Sequence, residues 1–425
     1  MTEPVTGVAA SPWWSALAAA EHAALAETYG TPYYLYDADE IRRRIAAVRD
    51  ALGGTAAVYY AVKSNPNLEL LRAVRDRADG LDISSGGELE QALLAGYDGS
   101  ALSFAGPAKT TAELRASIFH GVGCISVESR RELDECIALA RELRRRANVT
   151  IRINPSHMVR AFGLKMGGKP VQFGIDEEDL AAILPVVASH ADALSFRGIH
   201  VYAGSQCFDA PSLVEGVGET LKLARRIESE FGVACANVNL GGGFGVSYTE
   251  RGHDFPLNEA APALRSMFRE FREGGAAKRR VIFELGRYIT SEAGIYVCRV
   301  ISRKDSRGKR FYMVDGGLHH HLAAAGTFGA ALRGNYGLRN LSRPDAPVVR
   351  CSLAGPSCNP TDLLGVDVEI PEPELGDLIA VLKAGSYGYT ASPLLFLGRQ
   401  TPCELVRMNG AVKLARRARS MTDFN

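Results

Sequence analysis

The sequence predicts an α/β protein that combines an eight-stranded parallel (β/α)8 barrel with a smaller β-rich domain. Three observations lead to this fold class. Eight apolar or β-branched runs, seven of them followed by a helical pattern, occupy about 250 residues. Beyond residue 290, strand patterns alternate with turns rich in Gly, Pro and Asp, and helical patterns become rare. An aromatic strand near residue 33 precedes the barrel, and we expect it to join the β-rich domain.

The barrel strands are predicted as short apolar runs, each ending at a polar or glycine-containing segment. They span residues 56–62, 81–84, 101–105, 124–127, 149–153, 195–201, 237–240 and 280–284. Helices are predicted after the first seven strands, over 68–78, 88–94, 112–120, 131–145, 177–189, 213–231 and 260–271. Because an open doubly wound sheet gives a similar alternation, the count alone leaves that fold as the alternative.

The remaining segments are assigned to the β-rich domain. A helix is predicted over 15–29, ended by Gly30-Thr31-Pro32, and an aromatic strand over 33–36. Further strands are predicted over 295–301, 310–314, 348–353, 378–382 and 403–407. The predicted domains are an N-terminal segment (1–39) that joins the β domain, a barrel (40–290) and the C-terminal β domain (291–425).

Composition argues against several classes of protein. Lys and Arg number 49 against 48 Asp and Glu, and a net charge of +1 argues against broad binding to nucleic acid or anionic membrane. No apolar run reaches the roughly 18 residues of a membrane span, and no basic segment precedes an apolar stretch at the N-terminus. The eight cysteines form no Cys-x-x-Cys pair, and His319-His320-His321 lacks the spacing of metal ligands on one face. We expect a cytoplasmic protein without a disulfide framework or a bound metal.

Candidate catalytic residues lie where the predicted barrel strands end, since that edge carries the chemistry of such barrels. Lys63 follows the first strand, and the ordinary alternative is a solvated lysine. In a partly desolvated mouth, a lowered pKa favours the neutral amine that forms a Schiff base with an aldehyde. Glu284 ends the eighth strand. In one interpretation Glu284 forms a buried ion pair with Arg287 or Arg152. In the other, its carboxylate faces the protonated ring nitrogen of a cofactor while Arg287 binds the cofactor's phosphate.

Two further features follow the sixth and seventh strands. His200 is interpreted either as a core histidine with its hydrogen bonds satisfied or as a ring that packs flat on a cofactor. Gly241-Gly242-Gly243-Phe244-Gly245 fits a flexible turn or a phosphate loop in which backbone amides contact the anion. It is neither a Walker loop nor a dinucleotide fingerprint, because no Lys-Ser/Thr follows and the loop does not open the first unit. In the β domain, the polar loops 355–362 and 385–389 fit either functional loops or ordinary turns.

Several of these segments, in this order, resemble the fold type III pyridoxal-phosphate decarboxylases, which include diaminopimelate and ornithine decarboxylases. The resemblance extends from Thr31 to Gly388 and implies pyridoxal 5'-phosphate as the cofactor. Tyr60-Ala61-Val62-Lys63-Ser64-Asn65 is similar to the family's cofactor-lysine motif. Glu284-Leu285-Gly286-Arg287-Tyr288 is similar to the segment that holds the pyridine nitrogen and the phosphate. The resemblance implies further cofactor contacts from His200, Ser205, Gly241, Gly242, Gly243, Gly286 and Tyr387.

The segment Gly355-Pro356-Ser357-Cys358 is similar to one whose cysteine, in this family, enters the neighbouring subunit's site. The resemblance therefore implies a homodimer with shared active sites. It also implies that Cys358 helps to protonate the carbanion left by decarboxylation. One departure from the family is that His200-Val201-Tyr202-Ala203-Gly204-Ser205 is two residues longer than the usual His-x-Gly-Ser.

A second departure is Asn359, which stands where diaminopimelate and ornithine decarboxylases have the Glu or Asp that binds the substrate's distal ammonium. A neutral amide cannot supply this charge-assisted hydrogen bond, which is typically worth about 1.5 to 3 kcal/mol. Asn359 therefore argues against a diamino substrate.

A narrower resemblance concerns the segments 164–168, 200–202, 314–321 and 358–360. These resemble natural-product decarboxylases, among them the butirosin-type glutamyl-carrier-protein decarboxylases, which act on an amino acid joined through its side-chain carboxyl to an acyl carrier protein. The resemblance implies α-decarboxylation of such an aminoacyl thioester, with an acyl carrier protein as partner and Asn359 in contact with the substrate. The alternatives are decarboxylation of a free amino acid, racemisation or epimerisation on the same barrel type, and a cofactor-binding regulator.

Overall fold

The computed structural model describes residues 12–156, 162–165, 169–249, 252–274, 279–326 and 334–425. Of the segments quoted above, residues 1–11 of the predicted N-terminal segment and Met166-Gly167-Gly168 lie outside the described residues. The chain forms two compact units. The sheet unit contains Met1–Glu40, Tyr248–Glu250 and Glu292–Asn425, and the barrel unit contains Ile41–Ser247 and Arg251–Ser291. Within the described ranges, no helix combines the length and apolar character needed to cross a bilayer.

The described chain starts with α1 (Ala19–Tyr29), β1 (Tyr33–Asp37) and α2 (Ala38–Ala51). The prediction of a helix from Ser15 was wrong at its start, because Trp13–Ala16 is a separate 3-10 turn and Leu17 is extended. The backbone N–H of Ala18 donates to Oε2 of Glu21 at 2.8 Å. This side-chain cap satisfies a donor that has no partner within the helix and so fixes where α1 begins.

The barrel unit alternates strands and helices along the chain. Its elements are β2 (Ala57–Ala61), α3 (Leu68–Val74), β3 (Gly80–Ile83), α4 (Gly86–Leu94), β4 (Leu102–Phe104), α5 (Thr111–Phe119), β5 (Cys124–Val127), α6 (Arg130–Glu142), β6 (Ala147–Asn154), β7 (Phe162–Lys165), β8 (Ile175–Asp176), α7 (Leu180–Ser189), β9 (Leu194–His200), β10 (Gly204–Cys207), α8 (Ala210–Phe231), β11 (Asn237–Asn239), α9 (Leu257–Glu273), β12 (Arg280–Leu285) and α10 (Arg287–Thr290).

Eight parallel strands of this unit close into a barrel in the order β2-β3-β4-β5-β6-β9-β11-β12, and β12 pairs back onto β2. The predicted (β/α)8 barrel is confirmed, and the open sheet is excluded. Strands enclosed on both faces are expected to be apolar throughout, and all five residues of β2 are buried. Polar caps set the helix starts, as at Ser85, Thr110 and Ser129, whose side chains each accept a backbone N–H of the following helix.

The sheet unit contains the strands of the second half of the chain. They are β13 (Gly294–Ser306), β14 (Lys309–Val314), β15 (Leu338–Asn340), β16 (Val348–Ala354), β17 (Leu363–Pro371), β18 (Leu378–Val381), β19 (Cys403–Met408) and β20 (Ala411–Arg416). β1 pairs within this sheet, antiparallel to β13 and parallel to β19. Its core includes the fully buried side chains of Tyr33, Leu35, Ile295, Val297 and Leu405.

Candidate active site

Lys63 lies in a short turn directly after β2, at the carboxyl edge of the barrel. Its Nζ is 2.6 Å from Oδ2 of Asp82, which lies on the neighbouring strand β3. The Lys63 side chain is 40% exposed, whereas that of Asp82 is completely buried. The amine is therefore anchored at the barrel mouth and still accessible from solvent, as a nucleophilic lysine must be.

Asp82 was not among the residues predicted from the sequence. The pKa of Asp82 is raised to about 6, because burial and the negative charge of Glu284 raise it more than Lys63 lowers it. Its second oxygen, Oδ1, has no hydrogen-bond partner in the described part of the chain. A signal was present, because Asp82 is an acidic residue near the end of a strand adjacent to that of Lys63. Because Asp82 lies between the apolar residues Leu81 and Ile83, the local pattern indicates part of the strand and not a site residue.

Glu284 is buried in β12, the strand next to β2. Its Oε1 accepts hydrogen bonds from Oγ of Ser103, at 3.0 Å, and from the side-chain amide of Asn239. These two neutral donors fix the direction of the carboxylate. Of the two ion pairs considered for Glu284, the one with Arg152 is not formed, because Arg152 pairs with Glu128 at 2.8 Å.

His200, the last residue of β9, is buried beside Glu284. Its Nδ1 is 2.9 Å from Oγ of Ser126, and its Nε2 is 3.5 Å from Oε2 of Glu284. Burial, with a smaller effect from the charge of Arg152, lowers the pKa of His200 to about 3. The imidazole is therefore neutral near pH 7, and its contact with Glu284 is not an ion pair. This placement is that of a hydrogen-bonded core histidine, and a contact with the cofactor stays a prediction.

The glycine loop follows β11 and depends on the absence of side chains. Gly241 and Gly243 have φ angles of +61° and +105°, which L side chains rarely adopt. A Cβ on Gly241 would lie 2.3 Å from the ring of Tyr202, and one on Gly242 would lie 2.1 Å from the carbonyl oxygen of Glu284. The backbone N–H groups of Gly242 and Gly243 donate to no described residue. They therefore fit a phosphate group, which accepts hydrogen bonds of this kind.

The other predicted phosphate contacts of the barrel unit lie on nearby segments. Gly286 and Arg287 follow β12, where a Cβ on Gly286 would approach Cβ of Ser64 to 3.0 Å. Ser205 lies in β10, which pairs with β7 and not with a barrel strand. Because β11, β12 and β2 are consecutive in the barrel, the glycine loop, Arg287 and Lys63 lie at one edge. These groups fit the chemical groups of pyridoxal phosphate. The amine of Lys63 fits the aldehyde, the buried carboxylate of Glu284 fits the ring nitrogen, and the guanidinium of Arg287 with the glycine-loop amides fits the phosphate.

Cys358 and Asn359 lie in the sheet unit, on the loop between β16 and β17, with Cys358 exposed. The buried carboxylate of Asp362 accepts the N–H of Ser357 at 3.0 Å and so orders the loop. Oδ1 of Asn359 accepts the N–H of Thr361 at 3.0 Å and its hydroxyl at 2.9 Å. Because a backbone N–H only donates, this contact identifies Oδ1 as the acceptor. The amide hydrogens of Asn359 donate to no described residue.

Tyr387 lies in the sheet unit on the loop after β18, with a φ of +51°. This left-handed conformation is uncommon for a residue with a side chain, and such strain is often retained at functional sites. Oγ of the preceding Ser386, which is buried, lies 3.0 Å from the hydroxyl of Tyr248. The roles of Tyr387, Cys358 and Asn359 stay predictions, as do those of the barrel residues.

Comparisons with known proteins identify the family. The model for the pyridoxal-dependent decarboxylase, pyridoxal binding domain, matches residues 38–291. L-glutamyl-[BtrI acyl-carrier protein] decarboxylase of Niallia circulans is 38% identical over 410 residues, which cover 95% of each chain. Diaminopimelate decarboxylase of Aquifex aeolicus is 31% identical over 398 residues, 92% of this chain and 90% of that one.

Solved structures agree with this assignment. Diaminopimelate decarboxylase of Helicobacter pylori, crystallised with L-lysine, has a TM-score of 0.84 at 27% identity and covers 95% of this chain and 98% of its own. The fold prediction of a barrel plus a β domain and the cofactor prediction of pyridoxal phosphate are thereby confirmed. The chain belongs to the pyridoxal-dependent decarboxylases and is an amino acid carboxy-lyase that uses pyridoxal phosphate.

Proposed function

We propose that this decarboxylase acts on an amino acid whose side-chain carboxyl is joined as a thioester to an acyl carrier protein, in a natural-product pathway. The observation that carries the proposal is the orientation of Asn359. With its oxygen held by Thr361, the amide offers only hydrogens to a substrate. These hydrogens bind an acceptor such as a thioester carbonyl and give no favourable contact to an ammonium, which is itself only a donor.

The relatives support the same choice. The Niallia circulans protein, whose name specifies a glutamyl carrier protein as its substrate, is 38% identical to this chain over 95% of its length. The Aquifex aeolicus diaminopimelate decarboxylase is 31% identical over 92% of it. Diaminopimelate, ornithine and lysine all carry a distal ammonium, whereas a side-chain thioester ends in a neutral carbonyl.

The edge of the barrel would hold the cofactor through complementary groups. Lys63 would bond to the aldehyde carbon through Nζ, and Glu284 would keep the ring nitrogen protonated by accepting its hydrogen bond. The phosphate would be held by Gly241, Gly242, Gly243, Ser205, Gly286, Arg287 and Tyr387. Pyridoxal phosphate, when bound, supplies the electron sink that loss of carbon dioxide from an α-amino acid requires.

The exposed thiol of Cys358 would deliver a proton to the α-carbon once carbon dioxide has left. We propose a homodimer in which each copy supplies Cys358 and Asn359 to its partner's site. A cytoplasmic location fits this assignment, because a reducing compartment keeps an exposed catalytic thiol from forming disulfides.

The decisive experiment supplies carrier proteins loaded through the side-chain carboxyl of glutamate or a related amino acid and measures their intact mass. We expect the mass to fall by one carbon dioxide with the wild-type enzyme and not with Lys63→Ala. Free diaminopimelate, lysine and ornithine are assayed in parallel. Efficient release of carbon dioxide from one of these, with no change in any carrier-bound substrate, would refute the proposal. Inversion of the α-carbon without loss of mass would indicate a racemase.

Asn359→Asp tests the role of the amide directly. The variant keeps an oxygen that accepts the N–H of Thr361 but brings a negative charge to the loop. We expect the ratio of kcat/KM for carrier-bound substrate to that for diaminopimelate to fall roughly 10- to 100-fold, the equivalent of about 1.5 to 3 kcal/mol. Thr361→Val, which removes one hydroxyl donor and leaves the backbone contact, serves as the matched control. A ratio equal to that of the wild type would show that Asn359 does not select the substrate.

A further inference from the structure

The amino edge of the barrel, where the strands begin, contains a cavity of about 440 Å³. It lies at the end opposite to Lys63, since Lys63 follows the last residue of β2 and Ala57, the first, lines the cavity. Five of its lining residues are cationic. They are Arg49, Arg197, Arg272, Arg279 and Arg280. Asp79 is the single carboxylate among the described residues of the lining, so this amino-edge cavity has a strong positive charge.

The register of the strands explains why the arginines converge. Gly198 of β9 and Arg280 of β12 both pair with Asn237, the first residue of β11. Arg197, which precedes Gly198 in the middle of β9, and Arg280, the first residue of β12, therefore lie close to the level at which β11 starts, on the two strands that flank it. Both residues line the same cavity, so the closed barrel brings two guanidinium groups to one site.

Three of these charges have no carboxylate partner. Both Nε and Nη2 of Arg197 donate to the amide oxygen of Asn148, at 3.0 and 2.7 Å. Arg280 donates to the hydroxyl of Tyr59 at 3.2 Å. Arg272 is exposed and forms no hydrogen bond or ion pair with any described residue. Positive charge that is gathered at one site without neutralisation favours the binding of an anion.

Arg279 provides an independent observation. Arg279 is 8% exposed, and its Nε–H is buried without a hydrogen-bond partner in the described part of the chain. The rest of its guanidinium bonds to Glu228 and to the carbonyl oxygen of Phe271, the latter at 2.7 Å. A buried donor left without an acceptor destabilises a fold. An acceptor inside the cavity would satisfy it.

We propose that the amino-edge cavity binds a small polyvalent anion that carries phosphoryl groups. Guanidinium groups bind phosphoryl oxygens through paired hydrogen bonds, and a cavity of this volume holds a small molecule. The anion neutralises Arg197, Arg272 and Arg280 and supplies an acceptor to Arg279. Because the cavity is at the opposite end of the strands from the catalytic edge, the anion binds together with substrate and stabilises the folded state by mass action.

Pyrophosphate is the probe that tests this site, titrated into the holoenzyme by calorimetry and in thermal unfolding. We expect saturable binding and a rise in Tm beyond that given by sodium chloride at equal ionic strength. In the double variant Arg272→Gln/Arg280→Gln the Kd should rise at least about tenfold, equivalent to about 1.4 kcal/mol. Arg269→Gln, which removes an exposed arginine from the same helix outside the lining, is the matched control and should keep the wild-type Kd.

Arg280 also contacts Tyr59, so Arg272→Gln alone provides a second test in which that contact remains. Its cofactor absorbance and circular dichroism report whether the fold is intact, and its Kd should also rise. The proposal fails if the folded variants bind pyrophosphate as tightly as the wild type, or if sodium chloride stabilises the protein equally. Displacement of pyrophosphate by substrate or by added cofactor would also overturn it, because binding would then lie at the catalytic edge.

Discussion

Lys63→Ala is expected to lower kcat by about 10³-fold, within the range found when a group acting at the reacting centre is removed. The structure anchors Nζ of Lys63 2.6 Å from Asp82 and leaves it open to solvent at the barrel edge. In the proposed site this amine forms the covalent bond to the cofactor, and alanine has no group that replaces it. The visible absorbance of the lysine-bound cofactor should disappear together with activity, and both are measured on the purified variant.

Lys63→Arg is the control that separates covalent bonding from charge. Arginine keeps the positive charge beside Asp82, but it stays protonated and does not act as an amine nucleophile. We therefore expect Lys63→Arg to lose activity and absorbance as Lys63→Ala does. If the arginine variant retained normal turnover, Lys63 would serve only as the ion-pair partner of Asp82, and the assignment would be wrong.

Glu284→Gln is expected to lower kcat by about 10²-fold, the lower end of what loss of one preorganised electrostatic contact costs. Glutamine has nearly the same shape, and its Oε1 still accepts from Ser103 and Asn239, so the fold should be retained. A neutral amide, however, does not stabilise a proton on the cofactor's ring nitrogen, and the electron sink weakens. Steady-state kcat for the wild type and the variant measures the effect.

Ser103→Ala is the matched control for that result. It removes one donor to Glu284 and leaves the negative charge in place, with Asn239 still donating to it. We expect its kcat to stay within a few-fold of the wild type, since one hydrogen bond contributes about 0.5 to 1.5 kcal/mol net. A Glu284→Gln enzyme as active as Ser103→Ala would mean that the charge of Glu284 has no catalytic role.

The barrel was predictable from the sequence because its strands are enclosed on both faces. A strand such as β2 is then apolar at every position, and such runs stand out between amphipathic helices. Their order along the chain is also their order around the barrel, so no long-range information was needed to count them.

The strands that were not predicted from the sequence lie in both units, as β7, β8 and β10 of the barrel unit and β15, β17 and β20 of the sheet unit. β15 has only three residues, β17 contains Gly365 and ends at Pro371, and the residues of β20 are exposed or half-buried. Short or solvent-facing strands lack the burial that produces a clear hydrophobic pattern, and their pairing depends on distant partners. Leu338 of β15, for example, pairs with Val381 of β18, and neither position shows this in the local sequence.

Most residues of the candidate site were predicted from resemblance to the family's motifs, but the ion-pair partner of Lys63 was not. Asp82 is paired with Ala61 across β2 and β3, and this register brings its carboxylate beneath the amine two residues further on. Such a contact is a property of strand register and not of sequence spacing. The same holds for the arginines of the amino-edge cavity, which are scattered from Arg49 to Arg280 along the chain.

The position of β1 in the sheet has a consequence for how the protein is made. Tyr33 pairs with Cys403, which the ribosome adds 403 − 33 = 370 residues later. At about 5 to 20 residues per second, the strand waits roughly 20 to 70 s for that partner. Its other partner, β13, is made 297 − 33 = 264 residues after Tyr33, and until then the nascent chain leaves unpaired a run of three tyrosines and a leucine that the finished sheet buries. In newly made chains this unpaired apolar strand is therefore a site for aggregation, and a chaperone that covers it would protect them.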